Sequence, residues 1–210
     1  MIKALFLIFE PMAAWDRVAL SRRGLLFIVT FYLLPMMLIV GALEGYSLVE
    51  WGRLQADSNT NKIFTRGEAA VFEVMEMLLM GVAIVLCAHM IKALSETFRG
   101  GQTYTQAFKV VIYGLSPMFL FRLLDAAPSM NLWIPWILGM MLCVKILYSG
   151  VPRVFQPDPP HAFGLFVMSS LMLIMVTGLE RYLTANFLAG HFKPVGQSIS
   201  HIASKLPFLN

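Results

Sequence analysis

The chain has 210 residues, of which 58% are hydrophobic and only 13% charged, with a formal net charge of +4. Soluble domains run nearer about 45–50% apolar and about 25% charged, so the composition excludes a disordered chain and argues against a water-soluble globule. The basic residues are scattered, which leaves no nucleic-acid footprint.

In chain order, residues 1–23 form an arm. Ile2, Leu5, Phe6 and Phe9 recur at helical spacing, Pro11 interrupts, and Trp15, Val18 and Ala19 resume the pattern. Two short amphipathic pieces lying in the cytoplasmic interface are expected, with Trp15, Arg22 and Arg23 as lipid or interface anchors. The apolar run Ala4–Phe9 is too short for a signal core, and no small-residue cleavage site follows it.

A membrane helix needs about 20 mainly apolar residues to cross a hydrocarbon core of roughly 30 Å. Gly24–Leu43 meets this without a charge, and so, slightly shorter, does Ala162–Leu179. Between them lie Ala69–Ile91 with Glu73 and Glu76, Val110–Leu124 with Arg122, which can extend only to Pro128, and Leu132–Val151 with Lys145. These charges leave open that a short segment re-enters from one side, but irregular backbone at depth needs shielding by protein or water. Glu44–Glu68 is a polar loop with a turn cluster, Asp57-Ser-Asn-Thr-Asn61. Residues 180–210 read as an amphipathic tail, with Ile199, Ile202, Ala203 and Leu206 on one stripe. The expected fold is all-α: a polytopic five-helix transmembrane bundle over 24–179, with amphipathic N- and C-terminal surface helices.

Lys and Arg near the span ends set the orientation. They favour the arm (Lys3, Arg17, Arg22, Arg23), the second connection (Lys92, Arg99, Lys109) and the fourth (Arg153), while Asp125–Asn131 has none. The N-terminus is therefore expected in the cytoplasm and the C-terminus outside. Cys87 and Cys143 then lie in cytoplasmic halves of their spans, as packed thiols rather than a disulfide.

Ionisable residues within spans are costly and are functional hypotheses by default. Glu73 and Glu76 share one helix face, and Arg122 and Asp125 lie at matching depth. A structural ion pair is the favoured reading. The rival is an outward-facing polar cavity for a cation, a proton or a lipid head group. Lys145 is placed roughly 9 Å from the cytoplasmic end of its span, within snorkelling range of an anchor. His89 reads as a packing residue. Gly41-x-x-x-Gly45 is a weak close-approach signal. Gly100 and Gly101 read as the turn ending the second helix. Gly114, Ser116 and Pro117 are expected to kink the third span. Pro135 fits the first turn of the fourth span, and Pro152 with Pro157-Asp-Pro-Pro160 is expected to stop it. Hydrolase, phosphate-loop, metal-ligand and redox motifs are all missing, so no catalytic residue, metal or cofactor is implied.

Phe98-Arg-Gly-Gly-Gln-Thr-Tyr-Thr-Gln-Ala-Phe-Lys109 runs into Val110-Val-Ile-Tyr-Gly-Leu-Ser-Pro117, and Ile146-Leu-Tyr-Ser-Gly-Val-Pro152 follows. This series resembles the Yip family, the Ypt/Rab-interacting membrane proteins, and Glu10-Pro11 before Trp15 is similar to the arm of its bacterial members. The resemblance implies five spans with a cytoplasmic N-terminus. Eukaryotic members are linked to small GTPases and vesicle traffic through a longer cytoplasmic arm. The short arm here argues against a GTPase partner and for a bacterial-type protein of the inner membrane. The expected function is non-enzymatic binding, as an accessory subunit, assembly factor or scaffold, with lipids and a membrane-protein partner or a second copy as company. The alternative is a small transporter or channel for an ion or lipid.

Overall fold

The computed structural model describes residues 2–21, 23–54, 61–100, 103–128 and 130–205. Arg22, Gly101, residues 57–60 of the turn cluster and Leu206 lie outside the described residues, as do the side chains of residues 2–5, Lys193 and Ala203.

Two short helices, α1 (Ile2–Phe9) and α2 (Pro11–Leu20), make the arm. Pro11 starts α2, where its missing N–H and fixed φ suit the first helical position. The first span joins α3 (Leu25–Ile28) to α4 (Leu34–Glu50) through one π-helical turn, Val29–Leu33. Pro35 follows at once. It cannot donate to the preceding turn and its ring crowds the carbonyl there, and the wider turn accommodates both. A two-residue antiparallel ladder, β1 (Arg53–Leu54) with β2 (Asn61–Lys62), leads to α5 (Arg66–Thr97). A capping box opens α5: Thr65 Oγ1 accepts from the Glu68 N–H at 3.2 Å, and Glu68 Oε2 accepts from the Thr65 N–H at 3.0 Å. At 32 residues α5 is roughly 48 Å long and exceeds the membrane core.

The third span is α6 (Tyr104–Gly114) and α7 (Ser116–Arg122), broken at Leu115 just before Pro117 and followed by a 3-10 turn, Leu123–Ala126. It is the central element. Its apolar window is 78% buried, against 28–44% for the other four spans. The fourth and fifth spans are α8 (Trp133–Phe155) and α9 (Pro159–Leu188), and α10 (Lys193–Ser204) packs back on α5. Among the described residues five helices are thus long and apolar enough to cross a membrane. Large apolar side chains, Leu26, Leu78, Val82 and Met175 among them, line the outside of the bundle. Such a surface suits lipid and not water.

Several local features differ from the sequence expectation. Helices α4 and α9 run on through Glu44 and Glu180, which the sequence places in a loop and in the tail. Three further differences concern Pro152, Arg99 and Trp15. Pro152 does not stop α8, which continues to Phe155. Proline removes one donor only, and the helix ends where Gln156 turns left-handed before Pro157. The turn after α5 places Arg99, not a glycine, in the left-handed region at φ 57°. Gly100 donates to the Ser95 carbonyl at 2.7 Å and Arg99 to that of Glu96 at 3.2 Å, a Schellman closure. Trp15, expected at the interface, is fully buried. Its indole N–H donates to the Ile146 carbonyl at 3.0 Å, and its ring lies over Gly150 in a space that a β-carbon would fill.

Candidate functional site

The spans are longer than the apolar runs because several charged residues are inside the bundle. Glu44, Glu73, Glu76, Arg122, Asp125, Glu180 and Arg181 are all buried at the end opposite the arm. Arg122, at the last turn of α7 and 7% exposed, is the hub. Its Nη2 donates to Glu44 Oε2 at 3.2 Å and also to Glu76 Oε1. Its Nε lies 3.8 Å from Asp125 Oδ2, and its Nη1 lies 3.8 Å from Glu180 Oε1. One guanidinium therefore ties α4, α5, α7 and α9 together.

Arg181 extends the network. Its Nη2 donates to Asp125 Oδ1 at 2.6 Å, and its Nε donates to the Leu132 carbonyl at 3.0 Å. Arg53, on β1, donates to the backbone carbonyls of Asp125 and, at 3.3 Å, of Ala127. The ladder thereby supplies a donor to the Asp125 carbonyl of the 3-10 turn, and a second one to the Ala127 carbonyl, which also accepts from the Met130 N–H at 3.2 Å.

Glu73 stands apart. It lies on the Glu76 face of α5, but its Oε1 has no hydrogen-bond partner among the described residues. Its side chain fills the groove left by Gly41 and Gly45. A β-carbon on Gly41 would come within 2.9 Å of Oε2, and one on Gly45 within 3.3 Å of Cγ. The close approach read from Gly41-x-x-x-Gly45 is thus made to a carboxylate. Carboxylate oxygens of Glu44, Glu73 and Glu76 all lie within 4.8 Å of one another.

Five buried carboxyl groups (Glu44, Glu73, Glu76, Asp125, Glu180) face three guanidinium groups (Arg53, Arg122, Arg181). A buried charge without a partner costs several kcal/mol, so this site has capacity for protons or a cation. It has little room. The void lined by Glu73, Glu76, Arg122, Gly41 and Phe119 is about 10 Å³, close to the lower limit for one water. Deeper in the bundle, Ser116 Oγ bonds the Tyr32 hydroxyl at 2.6 Å, and Thr177 Oγ1 donates to the Leu173 carbonyl of its own helix.

The other singled-out residues lie elsewhere. Lys145 is exposed, and the longer α8 places it ten residues from the helix end, roughly 15 Å instead of the expected 9 Å. Arg23 is exposed, with its guanidinium 4.9 Å from the Phe27 ring centroid. Gly114 packs against Leu147. His89 bonds the Val85 carbonyl at 3.0 Å and its ring lies on Tyr104. Cys87 and Cys143 are buried free thiols.

Sequence reading missed Glu44, Arg53, Glu180 and Arg181 as site residues, because each lies past the end of an apolar run. A signal was present. Met37, Val40, Gly41, Glu44, Ser47 and Leu48 continue one buried helical stripe through the first charge. Leu173, Thr177, Glu180, Thr184 and Leu188 do the same on α9.

The Yip1 domain family matches the chain over residues 5–179, from the arm to just short of Glu180. No curated protein and no solved structure matches it. With that match over most of its length and five apolar helices among its described residues, the chain is an integral membrane protein that belongs to the Yip1 domain family.

Proposed function

We propose that this protein acts by binding and not by catalysis, as an accessory subunit, assembly factor or scaffold of a larger membrane complex. The observation that carries this reading is Lys145. It shares one α8 face with Leu138, Met141 and Tyr148, at spacings of three, four and three residues, and all four are exposed. It makes no ion pair or hydrogen bond among the described residues. The next charge on the helix, Arg153, is roughly 12 Å away along the axis. A snorkelling stem covers only part of that distance. A lysine at the centre of a spanning helix costs about 2.5–3.5 kcal/mol, which a carboxylate on a neighbouring helix relieves. A second copy docked through this face would set like charges together, so the partner is a different membrane protein with Asp or Glu at that depth. Arg17, Arg23 and Arg153 at the arm end support a cytoplasmic N-terminus.

The test is extraction from the native membrane in mild detergent, followed by measurement of mass and composition. A stable complex is expected that Lys145→Glu dissociates and Lys145→Arg retains. A lone protein, or a complex indifferent to Lys145→Glu, overturns the reading.

One observation favours a second reading, a small transporter: the surplus of carboxyl groups around Glu73. The single-water void weighs against a conduction path. Proton or cation uptake into vesicles that Glu73→Gln abolishes would move the assignment to transport.

A further inference from the structure

We propose that the cleft between the arm and the start of the bundle holds one anionic phospholipid. The cleft has a volume of about 240 Å³ and lies between α1, α2 and α6. Arg17 and Arg23 line it, both exposed. Arg17 makes no ion pair or hydrogen bond among the described residues, and Arg23 only leans over Phe27. Among the described residues no carboxylate lines the cleft. The neighbouring Asp16 is turned away to Arg153, 3.3 Å from its Nε. Lys109 adds a third positive charge behind the wall, where its ammonium donates to the Ser21 carbonyl at 2.6 Å.

The rest of the lining is apolar. Phe6, Leu7 and Val18 form walls, and Tyr113 closes the floor. Tyr113 is nine residues into α6, roughly 14 Å from its start, so the cleft reaches from head-group level into acyl-chain level. The occupant must be anionic at one end and apolar at the other. Free phosphate would leave the walls unfilled, and a neutral lipid would leave two guanidinium groups unmatched. Basic groups near the membrane surface attract an anionic head group, and guanidinium–phosphate contacts add geometric specificity. This site is independent of the Lys145 face and of the acidic network.

The test uses the full chain in nanodiscs of phosphatidylcholine alone or mixed with phosphatidylglycerol, with bound lipid counted by native mass spectrometry. Retention of one phosphatidylglycerol, preferred about tenfold or more over phosphatidylcholine, is expected. The double variant Arg17→Gln/Arg23→Gln loses the preference. Ala14→Phe, which fills the cleft and leaves both arginines, loses the retained lipid. Arg99→Gln, outside the cleft, keeps it. Equal retention of both lipids, a preference that survives the double variant, or displacement of the lipid by inorganic phosphate overturns the proposal.

Discussion

Glu73 presses against Gly41 so closely that a β-carbon there would come within 2.9 Å of its Oε2. The glycine is therefore a spatial requirement of the carboxylate, and the two positions are coupled. Gly41→Leu is expected to destabilise the bundle by roughly 1–3 kcal/mol, the usual cost of overpacking. Glu73→Ala in the same chain is expected to restore much of it, because the clash is removed. A double-mutant cycle on thermal unfolding in detergent measures the coupling. Strict additivity of the two changes would show that Gly41 does not serve Glu73. Gly24→Leu, where nothing lies within 4 Å, is the neutral control.

Among the described residues Arg122 contacts four carboxylates from inside the bundle, and Lys145 contacts none. Arg122→Ala strands Glu44 and Glu76 and is expected to cost about 3–5 kcal/mol, with misassembly in the membrane. Lys145→Ala is expected to leave the isolated protein as stable as before or slightly more so. Arg122→Lys is not a rescue, because one ammonium cannot span the same fork of acceptors. Thermal unfolding of the three variants in membrane extracts checks this, and equal tolerance of Arg122→Ala and Lys145→Ala contradicts it.

Trp15 anchors the arm through burial and one hydrogen bond, and the two parts can be separated. Trp15→Phe loses the bond to Ile146 and leaves that carbonyl its own helical partner, a cost of about 1 kcal/mol. Trp15→Ala empties the slot over Gly150 and is expected to cost about 3–5 kcal/mol. Limited proteolysis reads the consequence directly. Cleavage within α2 should be fast for Trp15→Ala and near wild type for Trp15→Phe. Equal cleavage rates would mean that the indole is not what holds the arm.

The five spans were legible because each is a long apolar run, and the face shared by Glu73 and Glu76 was legible because helix geometry fixes it. The ends of the spans were not. A charge inside an apolar run reads as an ion-pair candidate, whereas the same charge after the run reads as a loop. Glu44, Glu180 and Arg181 fall in the second class, yet their partners on other helices bury them. That distinction depends on tertiary neighbours, as does the fate of Trp15. Its local pattern suits an interface anchor, and the slot that takes it is made by Gly150, distant in sequence. Pro152 misleads for a different reason. A proline ends a helix only where the chain after it also departs, and here the departure waits for Gln156.

Arg99 occupies the left-handed turn position that glycine usually takes, at roughly 1–2 kcal/mol of backbone cost. Its exposed pair with Asp158, at 3.7 Å, contributes only about 0–1 kcal/mol in return. Glycine at this position would also give back about 0.5–1 kcal/mol through the extra freedom of the unfolded chain. The sum still favours glycine, and Arg99→Gly is expected to stabilise the protein by roughly 0.5 kcal/mol. Arg99→Ala keeps the strained φ and loses the pair, so it is expected to be neutral or slightly destabilising. Thermal unfolding of both variants in the same detergent gives the sign of each. A larger gain for alanine than for glycine would mean that the turn is not strained at Arg99, and that the arginine is kept for a contact its side chain makes with another molecule.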